Sequence, residues 1–122
     1  MAKKKSLLQE RVVYKPFEYQ QAADYWLKQH QAHWLHTEVP MMSDLTDWNS
    51  NLSETEKNII GSILKGFAQT ETVVNDYWSG LVTKWFRKPE VIAMATTFGA
   101  FETIHAEAYS LLNETLGREN FA

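Results

Sequence analysis

No cysteine occurs in the 122 residues, which excludes disulfides, thiolate metal sites and cysteine nucleophiles, and fits a reducing cytoplasm. Long apolar runs are missing as well. Without a stretch of about 18 apolar residues, no transmembrane helix is expected. The opening Met1-Ala2-Lys3-Lys4-Lys5 lacks the apolar core of a secretory signal, so its lysines are expected to form a solvated, frayed end. A net charge of only -3 offers no broad attraction to nucleic acid or to an anionic membrane. Alternating strand patterns and internal repeats are also absent. What is present is ordinary for a globular chain: 44% hydrophobic and 22% charged residues, enough to build one compact core.

The pattern along the chain is helical. Residues 1–16 read as an irregular arm ending at Pro16, followed by a helix from Phe17 to about Leu35 that places Ala22, Ala23, Trp26 and Leu27 on one face. Residues 37–52, with Pro40, Ser43, Asp44, Asp47 and Asn49, predict a connecting loop carrying Trp48. Ser53-Glu54-Thr55-Glu56 is a capping box, in which Ser53 and Glu56 satisfy free backbone donors at a helix start. That helix is expected to reach about Phe86. Pro89 suits the first turn of the next one, and Gly117 suits its C-terminal cap near Leu116. A helix of roughly 30 residues spans about 45 Å. Two of them in succession imply a helical hairpin whose apolar stripes need further partners.

Projecting the first long helix at about 100° per residue aligns Ile60, Ile63, Leu64, Phe67, Val74, Trp78 and Leu81, with Glu71 in their midst. Lys65, Gln69, Thr72 and Asp76 fall on the opposite, solvent side. On the second long helix, Val91, Ala95, Phe98, Leu112 and Leu116 share a face with Glu102, His105 and Tyr109, while Glu107 and Glu114 point away with Thr96 and Thr103. A carboxylate on an apolar face is costly unless neutralised, paired or metal-bound. Glu71 alone reads most simply as a residue that snorkels or accepts an internal hydrogen bond. Glu102 and His105, at i and i+3, can reach one metal ion together. Glu-x-x-His is the motif that di-iron and di-manganese helical bundles use twice, beside a lone Glu from each of two other helices. A single copy also arises by chance, as a histidine paired with a nearby acid. Tyr109 could pack near a metal pair or be an ordinary core tyrosine. His33 and His36 have no acid on their face and are expected to be solvent-facing or structural.

The stretch from Ala100 through Glu102, His105 and Tyr109 resembles the radical-generating small subunit of class I ribonucleotide reductase. Glu71 stands 31 residues before Glu102, the spacing that family keeps between its first two ligands. Ala32-His33-Trp34, Asp47-Trp48 and Leu52-Ser53-Glu54-Thr55-Glu56-Lys57 follow in the family's order, so the resemblance runs from about Phe17 to Gly117. It implies an all-α fold, part of a ferritin-like bundle with two long antiparallel helices plus an N-terminal helix. Residues 1–122 would be the incomplete N-terminal portion of that domain. Glu71, Glu102 and His105 would ligate metal and Tyr109 would hold the radical. Trp34 would relay the oxidising equivalent to a large subunit that reduces ribonucleotides to deoxyribonucleotides.

The resemblance further implies two metal ions, iron foremost, with manganese or a mixed pair as alternatives. Its implied partners are the missing C-terminal part of the subunit, a second copy in a homodimer, and the large subunit. Neither nucleic acid nor membrane is expected to bind, and the setting is cytoplasmic. The family's second Glu-x-x-His and further Glu have no counterpart here, since Glu114 and Glu119 are the only carboxylates after Tyr109. The isolated chain is therefore expected to be inactive and not to hold two metals stably. Two alternatives stand beside this reading, a ferritin-like iron oxidase or storage protein and a non-catalytic helical module. Multi-component oxygenases are a third relation, which do not usually place a tyrosine at the position of Tyr109.

Overall fold

The computed structural model describes residues 6–117, so the expectations for Lys3, Lys4, Lys5 and Glu119 lie outside the described residues. The elements in order are α1 (Gln20–Gln31), a 3₁₀ turn (His36–Glu38), α2 (Asp44–Ser50) and α3 (Glu54–Asp76). A π-helical turn (Tyr77–Val82), α4 (Thr83–Trp85) and α5 (Pro89–Thr115) follow among the described residues. Among the described residues there is no strand, and the all-α expectation holds. No helix among them is long and apolar enough to cross a membrane. The chain divides into two compact units, Met1–His33 with Val74–Phe101, and Trp34–Val73 with Glu102–Ala122.

In the first unit, Ala22, Val82, Val91 and Ala95 form the buried centre, with Leu7, Tyr19, Trp78, Phe86 and Met94 packed against it. α1 is shorter at both ends than the expected Phe17–Leu35. Phe17, Glu18 and Tyr19 precede it, and the backbone amides of Glu18 and Tyr19 donate to the Glu90 carboxylate rather than entering a helix. The long helix does reach Trp85, but through the π-helical turn. One extra residue in a turn rotates everything after it by about 100°. That rotation corrects the projection: Val82 is buried and Leu81 is exposed. Opposite the turn stands Gly99, where an added Cβ would collide with Ser79 Oγ and lie 3.2 Å from Ser79 Cβ. The Asn75 side-chain amide also donates to the Gly99 carbonyl at 2.6 Å. Phe86 is extended (φ -117°, ψ 109°) and ends α4. α5 then starts at Pro89, with the Lys88 carbonyl accepting from Val91 and Ile92. Proline has no N–H to leave unpaired there.

In the second unit, the expected loop 37–52 contains structure of its own. Asp44–Ser50 is helical and buries Trp48, because burying the indole offsets the cost of ordering one short turn. The capping box forms as expected: the Ser53 amide donates to Glu56 Oε2 at 2.7 Å and the Glu56 amide to Ser53 Oγ at 3.2 Å. On α3, Ala68 and Gly61 are buried, whereas Ile60, Ile63 and Phe67 of the projected stripe are exposed. The described residues of this unit do not cover that stripe. Glu107 and Glu114 are exposed, as projected. Gly117 has φ +74°, a conformation that suits glycine and closes α5 with the Gly117 amide on the Glu114 carbonyl.

Candidate metal centre

Within the second unit the two long helices run antiparallel, since each step of four residues up α3 is matched by four down α5. Glu71 thereby meets His105, and Phe67 meets Tyr109. The i, i+3 relation in α5 stacks Glu102 over His105 on the same face. His105 Nδ1 lies 3.0 Å from Glu102 Oε2 and 3.7 Å from Glu71 Oε2. One donor atom from each of the three residues falls within 4.8 Å of the others. Among the described residues this is the one group of three or more His, Asp or Glu donors so arranged. Glu71 and Glu102 keep only 18% and 16% of their side-chain surface, against 39% for His105.

Crowding two carboxylates in a half-buried site disturbs their protonation. Burial pushes the Glu71 carboxyl up, and a hydrogen bond to Glu102 and its charge push it further, to about 7. His105 pulls the other way and does not cancel them. The Glu71 carboxyl therefore still carries its proton in about half of the chains at neutral pH. A divalent cation would replace that proton and relieve the repulsion. The donor set, two hard oxygens and one imidazole nitrogen, suits iron, manganese or zinc. It fits one side of a two-metal centre and falls short of the ligands two ions need.

The indole of Trp34 stacks on His105, with ring centroids 6.0 Å apart and planes 20° apart. Tyr109 is half-buried, with Phe67 at 5.4 Å between centroids. All five residues singled out from the sequence thus belong to one unit, three as converging donors, Trp34 in ring contact with one of them, and Tyr109 one turn beyond. His33 instead packs on Phe101 at 5.4 Å, and His36 is half-buried in the 3₁₀ turn. Neither joins the donor group.

Two residues were missed. Phe67 was placed on the apolar stripe, but its pairing with Tyr109 follows only once the antiparallel register is applied. Asn113 is fully buried, with its side-chain amide donating to the Tyr109 carbonyl at 2.9 Å. It lies four residues after Tyr109, the one signal the sequence held.

Comparison with known proteins matches residues 11–121 to the ribonucleotide reductase small-chain family. A probable ribonucleoside-diphosphate reductase small subunit of Invertebrate iridescent virus 6 is 38% identical over 112 residues, 92% of this chain and 31% of that protein. The ribonucleoside-diphosphate reductase small subunit of Dictyostelium discoideum is 30% identical over 109 residues, 87% of this chain and 31% of that protein. The chain thus spans less than a third of the length of these relatives. With the match covering nearly all of its length, the chain belongs to the ribonucleotide reductase small-chain family.

Proposed function

We propose that residues 1–122 are the N-terminal portion of a ferritin-like small subunit of ribonucleoside-diphosphate reductase. In this reading Glu71, Glu102 and His105 hold one side of a two-metal centre, and the remaining ligands come from sequence outside this chain. The convergence of their donor atoms within 4.8 Å carries the reading. Iron is the foremost metal, with manganese or a mixed pair as alternatives. The bound metals would supply the oxidising power for the radical. The chain's own residues do the rest. Glu71, Glu102 and His105 would hold the metal, with Glu71 giving up its proton on binding. Tyr109 is the group oxidised, losing one electron and its phenolic proton. Trp34, stacked on His105, provides a short ring-to-ring route for the oxidising equivalent towards a large subunit, where ribonucleotides are reduced. A second copy in a homodimer and a cytoplasmic setting complete the proposal.

Joining this chain to the C-terminal remainder of the Invertebrate iridescent virus 6 relative tests it. Two metal ions per joined chain are expected, with a tyrosyl radical signal after exposure to oxygen that vanishes in Tyr109→Phe. A signal that survives in that variant would remove Tyr109 from its role. The unjoined chain should bind no more than one ion, and two ions bound to it alone would refute the half-site.

A further inference from the structure

The first unit carries a second cluster of buried charge, built from four residues that the metal chemistry does not use. Two lie on the N-terminal arm, Arg11 and Glu18, and two at the start of α5, Lys88 and Glu90. Arg11 binds Glu90 with both terminal guanidinium nitrogens, Nη1 to Oε1 at 3.1 Å and Nη2 to Oε2. Lys88 Nζ lies 2.9 Å from Glu18 Oε2. The side chains of Lys88 and Glu90 have no exposed surface, and Arg11 keeps 10%. The Glu18 and Tyr19 amides also donate to Glu90 Oε1, at 3.0 and 3.2 Å, and the Arg11 amide donates to the Arg87 carbonyl at 3.3 Å.

The arrangement is reciprocal, because each side contributes one cation and one anion. Opening it would strand no lone charge on the arm, since Arg11 Nη1 also lies 3.1 Å from Glu18 Oε1. Arg11 further pins the arm's own bend through the carbonyls of Val13 and Tyr14, at 2.8 and 3.1 Å. Beyond these contacts the arm is held by Leu7 and Tyr19, which pack against the buried centre, and by an exposed Arg87–Glu10 pair at 4.0 Å. Leu8, Val12, Val13 and Tyr14 are between 61% and 87% exposed. Yet Leu7 and Tyr19, at its two ends, wall an apolar cavity of about 300 Å³ whose other lining includes Tyr25, Trp78, Phe86 and Met94.

We propose that the arm is a releasable strap, latched by the reciprocal pairs Arg11–Glu90 and Glu18–Lys88, which opens as a unit and widens this apolar cavity by withdrawing Leu7 and Tyr19 from its wall. A segment with few buried apolar side chains opens at lower cost than the core it covers. Its pre-folded bend lets it close again without searching for its shape.

Hydrogen exchange on the 122-residue chain tests the strap. Arg11→Met removes one pair and Lys88→Met the other. Each should speed exchange across residues 7–19 at least tenfold, leave the amides around Ala95 protected, and increase binding of a fluorescent apolar dye. Three results would overturn the proposal: exchange over 7–19 changing less than twofold, protection around Ala95 falling by the same factor as the arm, or failure of both variants to fold. Should only one variant fold, the failed pair is broken from its other side, by Glu18→Gln in place of Lys88→Met or by Glu90→Gln in place of Arg11→Met.

Discussion

Glu71→Gln isolates the proton that the metal centre must displace. With the Glu71 carboxyl pushed up to about 7, only about one chain in ten has it ionised at pH 6, and about nine in ten at pH 8. A cation that needs the carboxylate should therefore bind roughly tenfold more weakly at pH 6 than at pH 8, a difference of about 1.4 kcal/mol. Calorimetric titration with manganese(II) at both values measures it, and the number of protons released at pH 6 should approach one. Gln keeps the shape and loses the titration. The variant binds more weakly throughout, and its pH dependence should be about tenfold shallower than that of the native chain. The sign follows from the direction of the shift. A carboxyl held above its unfolded value favours the folded chain at low pH, and that advantage is lost as pH rises from about 4.5 to about 7. Metal-free stability should fall across this range, while metal affinity climbs. Equal pH slopes for the native chain and the Glu71→Gln variant would refute the reasoning.

The opposite sign is expected for Glu90. Burial pushes its carboxyl up, but Arg11 and the backbone donors, its own amide and those of Glu18 and Tyr19, outweigh burial and bring it to about 2. Its stabilisation is complete above about 4.5 and is lost as pH falls towards 2. Discounted for the solvent that reaches Arg11 and Glu18 at the edge of the cluster, it is on the order of 2 kcal/mol. Urea unfolding at pH 6 and pH 3 should show most of that loss in the native chain and little in Glu90→Gln. Gly99→Ala should destabilise the first unit by about 1–3 kcal/mol through overpacking against Ser79. Ser79→Ala should recover more than half of that in the double variant, because the 3.2 Å approach to Ser79 Cβ and an ordinary 3.5 Å contact with the Asn75 carbonyl then remain. Thermal melts of the four proteins close the cycle.

How far the sequence could be read depended on whether local or distant forces decided each feature. The capping box, Pro89 and Gly117 are local, and all three end or begin helices where expected. Burial of Val91 and Ala95 and exposure of Glu107 and Glu114 followed from a single unbroken helix. The π-helical turn defeated the same method on α3, since an ideal 3.6-residue projection cannot register one inserted residue. The start of α1 was misjudged for a different reason. The amides of Glu18 and Tyr19 are bound by Glu90, some 70 residues away in the chain. Of the candidate site, the donors were legible from helical spacing. Their role came from the resemblance, and the pairing of Phe67 with Tyr109 needed the antiparallel register.

The contrast between fully buried Glu90 and half-buried Glu71 supports the proposal that Glu71 is a ligand rather than a core acid. Both lose hydration, and in both that loss is the largest influence on the carboxyl. Glu90 stands among donors. A guanidinium and backbone amides meet its charge, and its carboxyl falls to about 2. Glu71 stands beside another carboxylate, with one imidazole to offset both, and rises to about 7. Had the fold needed a polar staple at Glu71, an arginine or lysine on the facing turn of α5 would have provided it, as Arg11 does for Glu90. The facing turn instead carries Glu102 and His105, which add acceptor oxygens and an imidazole to a site already short of positive charge. Such a cluster is unfavourable without a cation and favourable with one. That asymmetry, more than the presence of Glu-x-x-His, is the physical argument for metal at this place.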